Sequence, residues 1–273
     1  MKLPARITFF LGAILLVWPA LAPAQDLEQS RALLRLIGYD VAARQIETEF
    51  RNPPDRFPPE MRAAWRSAAE GRFRAEEILE TAALGMENRL EPDEFTALEA
   101  YLGDGLGARV TALETAAQDP DDAARIEAEK QAYLESLGSD FAARFDLLKE
   151  CAQALQMVET SLALVLNVSY SISSGMVATG EVPGLTDEQD ILETLAMQEP
   201  QIRAVVERNV IGTLAYTYRD LTDKELRAYT GFLQTEPARA IYSVMERAIE
   251  QVVRRDSRAL GRDLIRLSRA ERL

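Results

Sequence analysis

The sequence predicts an all-α protein, a multi-helix array or bundle built from two degenerate repeats with a pseudo-twofold relation. Three observations predict it. Apolar residues recur at three- and four-residue spacing in a chain dominated by Ala, Leu, Arg and Glu. Alternating β-branched runs are absent. A helix-starting pattern near Leu90 returns near Leu221, and the apolar positions after it keep the same order.

Taken in chain order, residues 1–24 read as a signal peptide. Lys2 and Arg6 precede an apolar run from Ile7 to Val17, Pro19 breaks the run, and Ala22-Pro23-Ala24 offers small residues to a signal peptidase. The alternative is an uncleaved anchor, but the run is shorter than the roughly 20 residues of a span. Cleavage after Ala24 removes two cations, taking the formal charge from −13 to −15. This predicts an exported, periplasmic, acidic protein of a Gram-negative bacterium, with no transmembrane span after cleavage and no affinity for nucleic acid.

Residues 25–119 form the first predicted helical repeat, 120–156 a connecting helix, 157–250 the second repeat, and 251–273 a basic helical tail. The breaks between helices are few. They include "NPPDRFPPE" at 52–60, "RLEPDE" at 89–94, "GDGLG" at 103–107, "DPDD" at 119–122 and "QTEP" at 234–237. The glycines of "GDGLG" follow a helix and lack the spacing of a nucleotide fingerprint, so they read as a turn. "DPDD" reads as a helix start, with its acids at the positive end of the helix dipole.

Helix starts carry the most detail. In "DLTDKEL", Thr222 caps the first turn, Glu225 reaches back to the cap's amide, and Leu221 and Leu226 occupy the staple positions. In "RLEPDEF", Leu90 and Phe95 take those positions, Pro92 stands first in the helix, Glu94 matches Glu225, and Glu91 is a poorer cap. "LTDEQDI" offers a third box through Thr186 and Gln189. From Leu90 to Leu221 is a shift of 221 − 90 = 131 residues. The same shift pairs Tyr101 with Phe232, Leu102 with Leu233, Gly107 with Ala238, Val110 with Ile241, and Leu113 with Val244.

The chemistry is restricted by composition. The chain has no His, which removes Ser-His-Asp and Cys-His catalysis and the usual zinc sites. The single Cys151 cannot form an internal disulfide and reads as a small buried hydrophobe. Glu76, Glu77, Glu80, Glu87, Asp119, Asp121 and Asp122 read as solvated faces and caps, and the calcium-loop pattern is absent. No catalytic residue, cofactor-binding residue, cofactor or metal ligand is predicted. The uncharged run 160–180 reads as a central buried helix, against a subunit interface or a bilayer segment. Arg254, Arg258, Arg262 and Arg266 recur at four-residue steps and form a cationic stripe. It could contact an anionic surface, dock on the acidic body, lie in solvent or meet a partner protein.

The stretch "YRDLTDKELRAYTGFLQTEPARA" resembles the closing signature of an exported all-helical bacterial family, catalogued as domain of unknown function two thousand fifty-nine. Leu221, Thr222, Asp223, Glu225, Phe232 and Thr235 match its leucine, helix start, aromatic and break within 218–245. Ala238 stands where the family usually has Gly, and Pro237 falls one position late. The resemblance implies a periplasmic helical protein and carries over no catalytic residue. The expected function is a non-catalytic binding or interaction module of the cell envelope, its partner an envelope protein or a small ligand. The alternatives are a carboxylate-dependent hydrolase acting on envelope glycan and a membrane-surface adaptor using the Arg stripe.

Overall fold

The computed structural model describes residues 27–270 apart from 56, 88, 139–140 and 180–186, with side chains described to residue 268. The predicted signal peptide lies outside the described residues. Within them the chain is helical and has no strand. The helices are α1 (Leu27–Leu36), α2 (Tyr39–Arg51), α3 (Pro59–Ala69), α4 (Ala75–Gly85), α5 (Pro92–Gly103), α6 (Gly105–Ala117), α7 (Ala123–Ser136), α8 (Ala142–Ala154), α9 (Met157–Val177), α10 (Glu188–Thr217), α11 (Asp223–Leu233) and α12 (Glu236–Ala270). A 3-10 turn, Pro120–Asp122, precedes α7. The segment expected as one connecting helix is therefore two, α7 and α8, broken around Leu137 and Gly138.

The starters form as the residues dictate. Thr222 Oγ1 accepts from the Glu225 amide at 3.3 Å, and Glu225 Oε2 accepts from the Thr222 amide at 2.8 Å. Glu94 likewise accepts from the Glu91 amide at 2.9 Å, with Pro92 first in the helix. Leu221 and Leu226 are both buried. The start of α10 differs from expectation: Asp187, not Thr186, is the cap, its carboxylate accepting from the Asp190 amide at 3.0 Å. A carboxylate competes well for this position because it also meets the helix dipole. Thr186 lies outside the described residues.

Three apolar clusters make the core. The first joins α1, α2, α4 and α5 to the middle of α12, through Leu33, Ile78, Phe95, Leu98 and Leu102 against Ile241, Val244 and Val252. The second joins α8, the end of α10 and α11 to α6, through Leu148, Cys151, Leu214, Leu226, Tyr229 and Leu233 against Val110. The third packs Trp65, Ala68 and Phe73 onto Val253, Leu260 and Leu264 of α12, with Leu164, Val168 and Ile172 of α9 alongside. Between the first two clusters Tyr101 and Phe232 stack, ring centroids 3.9 Å apart.

The 35-residue α12 contributes to the first and third clusters along about 52 Å of helix at 1.5 Å per residue. It runs unbroken past residue 250, so the basic segment is the second half of a core helix. Its crossing with α9 is close. A Cβ on Gly261 would lie 2.1 Å from the Ile172 carbonyl oxygen, and one on Gly175 2.2 Å from that of Arg258. Such contact between helix backbones needs glycine on both sides. By length and composition α9 could cross a membrane, but it is not the central buried helix expected. Only Leu162, Ser171, Ser174 and Gly175 are fully buried, and Val165 is 39% exposed. The reason is coverage: α12 and α10 pack on α9, while Glu159, Ala163 and Val165 stay exposed. An uncharged run shows that no charge is needed, not that every side is covered.

Candidate functional site

A cavity of about 590 Å³ opens where α6 meets α2, α7, α10, α11 and α12. One wall begins at the turn between α1 and α2. Gly38 there has φ 82°, and a Cβ on it would lie 2.3 Å from Thr115 Oγ1, so only glycine lets the turn lie against α6. Tyr39 follows, buried, its hydroxyl donating to the Met245 carbonyl oxygen of α12 at 2.8 Å. Gln45 and Glu49 continue this wall along α2, while Ile126, Glu127 and Lys130 of α7 close the opposite side.

Glu114 lies at the back of the cavity, on the last turns of α6. Tyr218 and Tyr229 both donate to its Oε1, at 2.5 and 2.7 Å. The Tyr229 and Tyr242 hydroxyls lie 3.1 Å apart. Since Tyr229 spends its only proton on Glu114, Tyr242 is the donor to Tyr229. The resulting chain runs Tyr242 to Tyr229 to Glu114, with Tyr218 converging on the same oxygen. Glu114 Oε2 receives no hydrogen bond from the described residues.

No cation balances this carboxyl among the groups that shift it. Desolvation pushes its pKa up, and the hydrogen bonds from Tyr218 and Tyr229 only partly oppose that. Burial also raises Glu49, against a weaker effect of the Gln45 amide. The Tyr218, Tyr229 and Tyr242 phenols are pushed well up by burial and by the Glu114 charge, so all three remain proton donors across the physiological range. Beside the cluster Cys151 is buried, its thiol pushed up to about 12 by desolvation, and it packs as the small hydrophobe expected.

At the cavity mouth, Lys130 is paired with Glu127 at 2.5 Å. Tyr216 donates to Glu129 at 2.7 Å, and Arg219 covers the Tyr216 ring 4.1 Å from its centroid. Among the described residues no group of three or more Cys, Asp or Glu side chains is placed to hold a metal ion.

Of the acids singled out in the sequence, Asp119 borders the cavity and the others lie elsewhere. Glu77 pairs with Arg255, which holds its carboxyl below the ordinary value, Glu80 pairs with Arg31, and Asp119 caps the 3-10 turn. Arg254, Arg258, Arg262 and Arg266 do share one exposed face of α12. Arg258 reaches Glu188 at 3.4 Å and Arg266 pairs with Asp263 at 2.9 Å, while Leu260 and Leu264 bury the opposite face. The sequence reading missed Glu114 and its tyrosines. One signal for them existed: the 131-residue register sets Glu114 opposite Met245, a carboxylate against an apolar residue.

No protein-family model, curated protein or solved structure matches the chain.

Proposed function

We propose that this chain is an exported helical duplication that serves the cell envelope as a binding module, holding a small organic ligand in the cavity between its two halves. The observation that carries the reading is Glu114: a carboxyl bordering a large, mostly apolar cavity, oriented by two phenols and left without a cation. Ligand sites combine apolar walls with a few placed polar groups in this way.

Reciprocal packing supports the duplication. Phe95, Leu98 and Leu102 share a cluster with Ile241 and Val244. Leu226, Tyr229 and Leu233, each 131 residues later, share the other cluster with Val110 and Leu113, each 131 residues earlier than Ile241 and Val244. Exchange of this kind is what an isologous twofold interface produces. Tyr101 and Phe232, themselves 131 apart, stack on one another, as equivalent residues do beside an axis. At the same shift, Glu114, Tyr218, Tyr229 and Tyr242 pair with Met245, Glu87, Leu98 and Thr111. The polar cluster thus falls where the halves differ, in keeping with a site acquired by one of two equivalent places. The Thr222–Glu225 box and Phe232 are consistent with membership of the exported helical family that 218–245 resembles.

Two measurements test the reading. The protein recovered from cells should begin at Gln25 and leave with the periplasmic fraction; an intact residue 1–24 segment in the cytoplasm would refute export. Native mass spectrometry of that material should show a small molecule released on acid unfolding, and its recovery should drop for Tyr229→Phe. A second reading, a hydrolase, draws on the raised pKa values of Glu49 and Glu114 in one cavity. Release of reducing sugar from peptidoglycan, abolished by both Glu49→Gln and Glu114→Gln, would favour it.

A further inference from the structure

We propose that the occupant of this cavity is an organic cation with an apolar body, its charged head set against Glu114. The inference rests on the binding reading above and names the ligand class for the same site.

Charge balance is the first argument. The ionisable carboxyls lining the cavity are Glu49, Glu114, Asp119 and Glu127, and the only lining cation among the described residues is Lys130. Lys130 is already paired with Glu127, which leaves the interior negative. An anion would meet those carboxyls, and a neutral ligand would leave Glu114 uncompensated in a desolvated setting.

The second argument is geometry. Tyr218 and Tyr229 spend their protons on Oε1, so neither hydroxyl proton remains for an anionic or carbonyl-bearing head. Oε2 receives no hydrogen bond from the described residues and is not buried among them, so it is open to the N–H bonds of an ammonium group. Tyr39, Tyr216, Tyr218, Tyr229 and Tyr242 also border the space, and aromatic rings attract cations. The third argument is the remaining wall: Ile37, Leu155, Met157, Leu214 and Leu233 present apolar surface, which suits a hydrocarbon body rather than a bare metal ion.

The test compares one tail with three heads. Octylammonium, octanol and octanoate are titrated calorimetrically into the full chain lacking residues 1–24 at pH 7.5. The expected result is octylammonium binding at least about tenfold tighter than either of the others. Glu114→Gln should reduce that preference to about threefold or less. In the wild type, the preference should shrink as pH falls through the range in which Glu114 takes up its proton.

Equal binding of all three overturns the cation inference and leaves the binding reading standing. Tightest binding of octanoate overturns it in the same way. Binding of none, together with no uptake of the neutral dye Nile red, overturns both. If Glu114→Gln does not fold, the head-group comparison and pH series on the wild type still decide.

Discussion

Replacing Gly261 with Ala tests the closest contact in the fold. The new methyl carbon would lie 2.1 Å from the Ile172 carbonyl oxygen, 2.9 Å from its carbon and 3.1 Å from its Cα. These are backbone atoms, so no rotamer change relieves the overlap; α9 and α12 must move apart by about 1 Å to approach van der Waals separation. Such movement loosens Leu260, Leu264 and Val253, all buried in the third cluster. Overpacking costs about 1–3 kcal/mol, and the rigid partner puts this site near the upper end. Against that, Ala is preferred over Gly in a helix by about 1 kcal/mol. The net is a loss of about 2 kcal/mol, or about 4–8 °C in Tm for a chain of this size. Gly231 in α11 is the control: it is helical and exposed, and a Cβ there meets nothing within 4 Å. Gly231→Ala should therefore stabilise, by up to about 1 kcal/mol. Thermal unfolding followed by circular dichroism reads both variants. Shifts of the same sign would refute the close-crossing argument.

Asp256 is buried and its Oδ2 accepts from the Phe73 amide at 2.7 Å, where Phe73 holds φ 54°. Asp256→Ala strands that amide and should cost about 1–3 kcal/mol, read as a lower urea midpoint with an unchanged slope. Thr222→Ala removes the cap of α11 and should cost about 1 kcal/mol, with Thr222→Ser recovering most of it in the same assay. Glu114 predicts a pH effect. Its folded pKa is raised above the ordinary 4.5, so the folded chain binds the extra proton and stability declines as pH rises from about 4.5 through the raised value. Glu114→Gln keeps an acceptor oxygen for both phenols and loses the charge. Denaturant unfolding at pH 5 and pH 8 should show a smaller drop for the variant; an equal drop would place the titration in another group.

What was legible in the sequence was local. Helical periodicity, the Thr222–Glu225 box, the Leu221–Leu226 staple and the glycine turn at 103–107 are each set by residues a few positions apart. Burial of Cys151 followed from its apolar neighbours. The site was not legible in the same way, because Glu114 meets Tyr218 and Tyr229 only after α6 crosses to α10 and α11, more than a hundred residues on. A lone glutamate in "ALETAAQ" has no local mark of being desolvated. The basic stripe was legible as a stripe, but its opposite face was not. Leu260 and Leu264 find α3 and α9 only in three dimensions, which turns an expected tail into a core helix.

The place of α12 in the chain governs the order in which this protein can be made. It follows the other eleven described helices, and its residues from Ile241 to Leu264 close two of the three clusters. Until Leu264 has left the ribosome, α3, α4, α5 and α9 lack the part of their apolar cover that α12 supplies. Completion of these two clusters is thus deferred until α12 has been made, and a nascent chain cannot lock prematurely into a finished first half. A stop codon shortly after residue 240 would therefore remove the lining of cores assembled from the other end of the sequence, rather than trim an appendage.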